Sequence, residues 1–345
     1  MPQTPSLTTA DDLRQWTAAR WQAFVTATDA IPDERWITVS DVAGWSIRDH
    51  VAHVTRWDES LIALVRDGTP RQATLLVSDE DWHAGGYDAM NEAIRQQTLY
   101  LSPAEVRDRR DAVWAELFAL LETFDDATIH RPGADFGLNY GRNETFLETL
   151  VDDLGVHYDQ HRQYIERIVA TADLTTPDDY RALADQRWAE FTAFLDGLAA
   201  DDWTRWTDAN GWTVKDHVAH VIDWDAAWNS QATGGRSQRE WLDVPDDVWE
   251  QGVDAINATL RDRSQDLTPA QVRANLDARI AESRHNLDTI DLLQEARVLG
   301  LARPDDDRSM IRAFIDDQAE HFEEHHRYMD RIVDEGRAQS GSQTA

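Results

Sequence analysis

The chain of 345 residues contains no cysteine and only one lysine, Lys215. Without cysteine there are no disulfides, no thiolate nucleophile and no sulfur-ligated metal site, so any bound metal must rest on His, Asp or Glu. Positive charge is scarce: Lys plus Arg number 33 against 65 Asp plus Glu, a formal net charge of −32. Recognition of a phosphate backbone or an anionic bilayer needs clustered cations, so neither nucleic acid nor a membrane is an expected partner. Long apolar runs are missing too, and none approaches the ~18 residues of a membrane-crossing helix. The first residues, MPQTPSLTTADDLRQW, lack the basic start and apolar stretch of a signal peptide. The expected location is cytoplasmic.

What is present is enough for a folded core: hydrophobic residues make up 41% of the chain, and there are 15 tryptophans. The length suits about two domains, and the residues repeat accordingly. GWSIRDHVAHVTRWD from Gly44 returns as GWTVKDHVAHVIDWD from Gly211, at an offset of 167. LSPAEV from Leu101 returns as LTPAQV from Leu267, at 166, and DDLGVHYDQHRQYIERI from Asp152 returns as DDQAEHFEEHHRYMDRI from Asp316, at 164. A small, one-way drift in offset is what loop deletions leave behind, so the chain reads as two copies of one fold, 1–172 and 173–337, with a polar, disordered tail over 338–345.

Within each copy the apolar positions recur at three- and four-residue spacing, as in Leu13, Trp16, Trp21, Phe24 and Val25. Hydroxyl caps with an acid or amide three residues on mark helix starts at Ser46, Ser102, Thr213 and Thr268. The pattern predicts helices near 9–30, 46–67, 80–98, 103–126 and 143–170, and again near 176–199, 213–232, 246–264, 269–296 and 306–336. Two-residue alternation and hairpin turns are missing. The expected class is all-α, each copy a helical bundle with a longer connection after its second helix.

Histidine placement carries the candidate chemistry. Eight of the 12 histidines fall in repeated segments. His157 and His161 are four apart and share a helix face, as do His321 and His325. A third histidine on another helix, His53 or His220, would complete three imidazoles around a divalent metal with open positions, the usual form of a catalytic site. The same residues also fit a different reading, polar or core histidines satisfied by neighbouring carboxylates. His50 and His217 stand three residues before His53 and His220 and are expected beside the ligands or lining the pocket. Asp153 and Asp317 precede His157 and His321 by four and are positioned to orient an imidazole, or else to be ordinary exposed acids. The repeated tryptophans Trp21, Trp36, Trp45, Trp57, Trp188, Trp203, Trp212 and Trp224 read mainly as core, with a minority beside the site. Asp58 and Asp225, five residues past the candidate ligands, read first as exposed acids, with a general-base role as the alternative.

The order Gly-Trp-Ser/Thr-x-x-Asp-x-x-x-His, then His-x-x-x-His on the last helix, resembles the DinB/YfiT-like metalloprotein superfamily, once per copy. Bacillithiol transferases and the N-terminal domain of mycothiol-dependent maleylpyruvate isomerase belong to it. The resemblance implies two tandem four-helix bundles with a long crossover after the second helix. It implies a divalent metal, zinc or nickel, on His53, His157 and His161 and another on His220, His321 and His325. It also implies a metal-dependent transferase or hydrolase that acts on a small electrophile, in detoxification or self-resistance, with a low-molecular-weight thiol as an optional co-substrate. The alternative is a non-catalytic bundle that sequesters a small hydrophobic ligand. Fusion of two domains that elsewhere pair as dimers predicts a monomer with an internal pseudo-dimer.

Overall fold

The computed structural model describes residues 7–41, 43–83, 86–138, 144–208, 210–301 and 309–342. The chain separates into two units, Met1–Asp173 and Leu174–Ala345. Among the described residues there are helices and no strands; isolated bridges such as Ser40 with Ser46 and Thr207 with Thr213 only close turns.

In the first unit the bundle consists of α1 (Ala10–Asp29), α2 (Ile47–Asp67), α3 (Pro103–Leu121), and α4 (Phe146–Val151) continuing into α5 (His157–Thr171). Helix α2 packs against α3 and α5, and α1 packs against α5. The second unit repeats this with α6 (Pro177–Asp196), α7 (Val214–Ala232), α8 (Pro269–Leu287), and α9 (Met310–Phe314) continuing into α10 (Glu320–Ser342). Each has its own apolar core, one holding Trp21, Phe24, Trp36 and Phe146, the other Trp188, Phe191, Phe314 and Phe322.

Local chemistry sets the starts of these helices. Ser46 accepts from the Asp49 amide while the Asp49 side chain accepts from the Ser46 amide, and Thr213 with Asp216 does the same. Ser102 with Glu105 and Thr268 with Gln271 cap α3 and α8, each with proline in the first turn. Reciprocal caps of this kind satisfy two otherwise orphaned amides per helix, and losing one costs about 1 kcal/mol.

Several helix boundaries differ from expectation. Of the helix expected over 80–98 the structure describes Asp79–His83 and Gly86–Gln96, residues 84–85 lying outside the described residues, and that over 246–264 is Asp246–Trp249 and Val253–Ser264, interrupted at Gly252, whose φ of +99° is outside the helical region. These short helices form the connection after α2 and after α7. The expected runs to 126 and 296 stop at Leu121 and Leu287, where the chain turns out of helix. The stretch 338–342, expected to be disordered, is helical: no proline interrupts Arg337-Ala338-Gln339, and α10 runs on to Ser342. Residues 343–345 lie outside the described residues.

The expected last helix of each copy carries a feature that periodicity does not report. Asp152–Val156 and Ile315–Ala319 are π-helical turns, each immediately before the residues that open α5 and α10. A π turn holds one extra residue, so it rotates everything beyond it by about 100° relative to a straight α-helix. That rotation sets which face His157 and His161 present.

Candidate metal centres

The Gly-Trp turn comes first in building the site. The Asp41 amide donates to the Trp45 carbonyl (3.0 Å), the Gly44 amide donates back to the Asp41 carbonyl (3.1 Å), and the Trp45 amide donates to Asp41 Oδ1 (2.8 Å). Gly44 sits at φ +79°, the left-handed region a side chain resists, and Gly211 repeats it at +77°. Asp208 makes the matching bonds, with its Oδ1 accepting from the Trp212 amide at 2.9 Å. The closed turn delivers two side chains to the first turns of α2 and α7: an aspartate and a tryptophan.

Helix α2 carries His50 and His53, and α5 carries His157 and His161. One imidazole nitrogen from each of His53, His157 and His161 lies within 4.8 Å of the other two, and His220, His321 and His325 form the same group in the second unit. In each group two rings are buried and one, His157 or His321, is half-buried. His220 Nε2 and His321 Nε2 approach to 3.0 Å.

Burial holds these rings neutral. It lowers His157 and His321 to about 4; for His157 the positive charge of Arg71 adds to the effect. Burial lowers His220 to about 2, and pushes His53, His161 and His325 well below the ordinary imidazole range, with neighbouring histidines adding to it. A neutral imidazole offers a lone pair, which is what a metal requires.

Behind the triad is a relay. His50 Nδ1 lies 2.9 Å from His161 Nδ1, and His50 Nε2 lies 3.1 Å from Asp41 Oδ2. A carboxylate accepts and does not donate, so His50 carries its proton on Nε2 and its Nδ1 accepts from His161. His161 is thereby protonated at Nδ1 and bare at Nε2. The hydrogen-bond pattern assigns a ligand tautomer, as outer carboxylate partners do in metal proteins. In the second unit His217 Nδ1 lies 2.9 Å from His325 Nδ1, and His217 Nε2 lies 3.4 Å from Asp208 Oδ2. Burial works against the Asp208 charge, yet His217 and the Trp212 amide hold its carboxyl below the usual range.

Aromatic rings wall both sites. Trp45 meets His50 and His53 at 5.5 and 5.2 Å, Trp57 meets His53 at 6.1 Å, and Tyr164 meets His50 and His161 at 5.7 Å each. Trp212, Trp224 and Tyr328 repeat these contacts. The repeated tryptophans therefore divide: Trp21, Trp36, Trp188 and Trp203 are core, whereas Trp45, Trp57, Trp212 and Trp224 are half-buried beside histidine.

The remaining candidates fall differently. Asp153 pairs with Arg71, whose guanidinium lies over Trp57, and Asp317 is exposed. Asp58 and Asp225 are not exposed acids: both are buried. Asp58 accepts from the Tyr158 hydroxyl at 3.0 and 3.1 Å, and burial raises its pKa well above the ordinary range. Asp225 is held by Ser283 (2.6 Å), Arg279 (3.1 Å) and Gln318. Asp41 and Asp208 escaped the sequence reading, although both recur in Asp-x-x-Gly-Trp, a repeat that contains the signal needed to find them.

The donor set fits a divalent ion. Three neutral imidazoles converge, the second nitrogen of one is held by a histidine-carboxylate pair, and one of the three rings is half-buried rather than buried. In a comparison with family models, the model of the DinB superfamily matches residues 15–165 and, a second time, residues 183–329, so each match spans one triad. Comparisons with curated proteins and with solved structures give no match.

Proposed function

The chain belongs to the DinB superfamily, and from that premise we propose that it is a metal-dependent enzyme with two centres, each bringing a nucleophile to a small electrophile. His53, His157 and His161 would hold one divalent ion, zinc or nickel, and His220, His321 and His325 the other. An ion on three imidazoles keeps open positions and makes a bound water or thiol nucleophilic near neutral pH. The observation that carries the reading is the convergence of three imidazoles in each unit, one of them half-buried and so partly accessible.

This chain's own residues have defined tasks in that scheme. Asp41 and His50 orient His161, and Asp208 and His217 orient His325. Trp45, Trp57 and Tyr164 keep bulk water from one side and give an apolar substrate a surface to lie against. The reaction class is thiol transfer or hydrolysis, suited to detoxification or self-resistance, and the protein is a cytoplasmic monomer with both centres in one chain.

The test is metal content by elemental mass spectrometry on tag-free protein, with His161→Ala and His325→Ala variants alone and together. Two ions per chain, one in each single variant and none in the double are expected. Turnover of a model epoxide with and without added thiol then separates transfer from hydrolysis. Failure to take up zinc or nickel in protein purified without chelators would remove the catalytic reading. Tight binding of the epoxide with recovery of unchanged compound would replace catalysis by sequestration.

A further inference from the structure

The two triads repeat each other, but the charges around their half-buried ligands do not. In the first unit, Arg71 opens the short helix Arg71–Leu75 of the connection and is 8% exposed. Its guanidinium carbon lies 5.4 Å from the centre of the Trp57 ring, which in turn meets His53. It pairs with Asp153, one helical turn before His157. Arg71 is thus a cation held at the edge of the first centre by Asp153 and the Trp57 ring.

In the second unit the register of the repeat places Gln238 where Arg71 stands, Glu324 where Gln160 stands and Glu320 where Val156 stands. Glu320 is 4% exposed and directly precedes His321. Glu324 follows His321 by three residues, one turn on along α10. A cation has been exchanged for an amide, and two uncharged side chains for two carboxylates, around an unchanged set of imidazoles. Arg71 and Glu320 are buried and so are screened less than surface charges, whereas Glu324 is exposed and weighs less; the two buried charges discriminate most strongly between ligands.

We propose that the two centres take substrates of different charge. The first receives a small molecule bearing a carboxylate or comparable anionic group, with Arg71 as its specificity-determining residue; the second receives a neutral or cationic molecule. The inference rests on the metal reading above and deepens it by assigning a substrate class to each centre.

The test uses small thiols that share a metal-binding sulfur and differ in charge at the far end: thioglycolate, thioglycolamide and cysteamine. His325→Ala keeps only the first centre and His161→Ala only the second. Each protein is loaded with cobalt(II), and thiol binding is read from the thiolate-to-cobalt absorption band, with no turnover required. The first centre should favour thioglycolate over thioglycolamide by roughly tenfold more than the second does, and cysteamine should prefer the second. Arg71→Gln should bring the first centre's ratio to that of the second. Gln238→Arg should raise the second's ratio and supplies the deciding arm if Arg71→Gln does not fold. Equal ratios at two cobalt-loaded centres, or no response to either substitution, would overturn the proposal while leaving the metal reading intact. Absence of cobalt uptake by the parent would overturn both.

Discussion

Asp41→Asn is the sharpest perturbation of the relay, because it removes a charge without removing the turn. An asparagine at this position still offers Oδ1 to the Trp45 amide, which lies 2.8 Å from the present oxygen, so the Gly-Trp turn should stay closed. The other end of the side chain changes from acceptor to donor. An NH2 group facing His50 Nε2 at about the present 3.1 Å spacing forces the His50 proton to Nδ1, where it meets the Nδ1 of His161 at 2.9 Å. Relief comes when His161 shifts its own proton to Nε2, the nitrogen a metal would need. Losing such an outer partner costs about 10- to 100-fold in metal affinity, or ~1.4–2.7 kcal/mol. The assay is zinc competition against a chromophoric chelator, using the His325→Ala background so that only the first centre reports. Melting of the metal-free protein checks that the fold is retained. Asp208→Asn should weaken the second centre less, since its contact with His217 is longer, at 3.4 Å. An Asp41→Asn protein that binds zinc within about twofold of its parent would refute the tautomer argument.

Acid should destabilise the metal-free protein through its ligands. His157 and His321 titrate at about 4 when folded and near 6.5 when unfolded, so between those values the unfolded chain binds more protons and stability falls as pH falls. At pH 5 each costs about 2 kcal/mol relative to pH 7.5. Because the buried Asp58 has a raised pKa and works in the opposite direction, the measurement compares urea denaturation of the parent with that of His157→Asn, whose stability should depend less steeply on pH; parallel curves would contradict the burial argument. Gly155→Ala probes the packing under the π turn: a Cβ there would lie 2.1 Å from the Trp16 ring, and the resulting overpacking should cost about 1–3 kcal/mol in denaturation, whereas an unchanged midpoint would mean that α1 withdraws freely.

The fold class and the duplication were legible because helical periodicity and capping residues are local signals. The caps Ser46, Ser102, Thr213 and Thr268 precede helices that open at Ile47, Pro103, Val214 and Pro269, matching the expected starts at 103 and 269 and falling one residue after those at 46 and 213. Helix ends were harder: Leu121 and Leu287 are followed by residues that would tolerate another turn, and tertiary packing decides where the chain leaves. The π turns at Asp152–Val156 and Ile315–Ala319 have no periodic signature, since one inserted residue changes only the phase. At the site, spacing brought out the histidines, but spacing does not say which acid lies next to them. Register with His157 points to Asp153 but not to its pairing with Arg71; Asp41, nine residues from His50 and outside any helix, reaches it through a turn that depends on Gly44.

Two copies within one chain allow a comparison that neither copy permits alone. Asp58 and Asp225 hold matching positions, and both are buried, but almost every partner differs. Asp58 accepts from Tyr158, whose counterpart is Phe322, and the residues that hold Asp225, namely Arg279, Ser283 and Gln318, correspond to Val113, Leu117 and Leu154. Around these aspartates the interior has been rebuilt from one tyrosine contact to a polar cluster with its own cation. Over the same divergence the triads, His50 and His217, Asp41 and Asp208, Trp45 and Trp212, Trp57 and Trp224, and Tyr164 and Tyr328 have not changed identity, and their separations agree within a few tenths of an ångström. A core free to exchange apolar for polar packing could have exchanged four converging histidines as well, since neutral imidazoles buried side by side contribute less to stability than apolar residues of similar volume. That the interior changed and the imidazoles did not is the argument that they are kept for a bound ion rather than for packing.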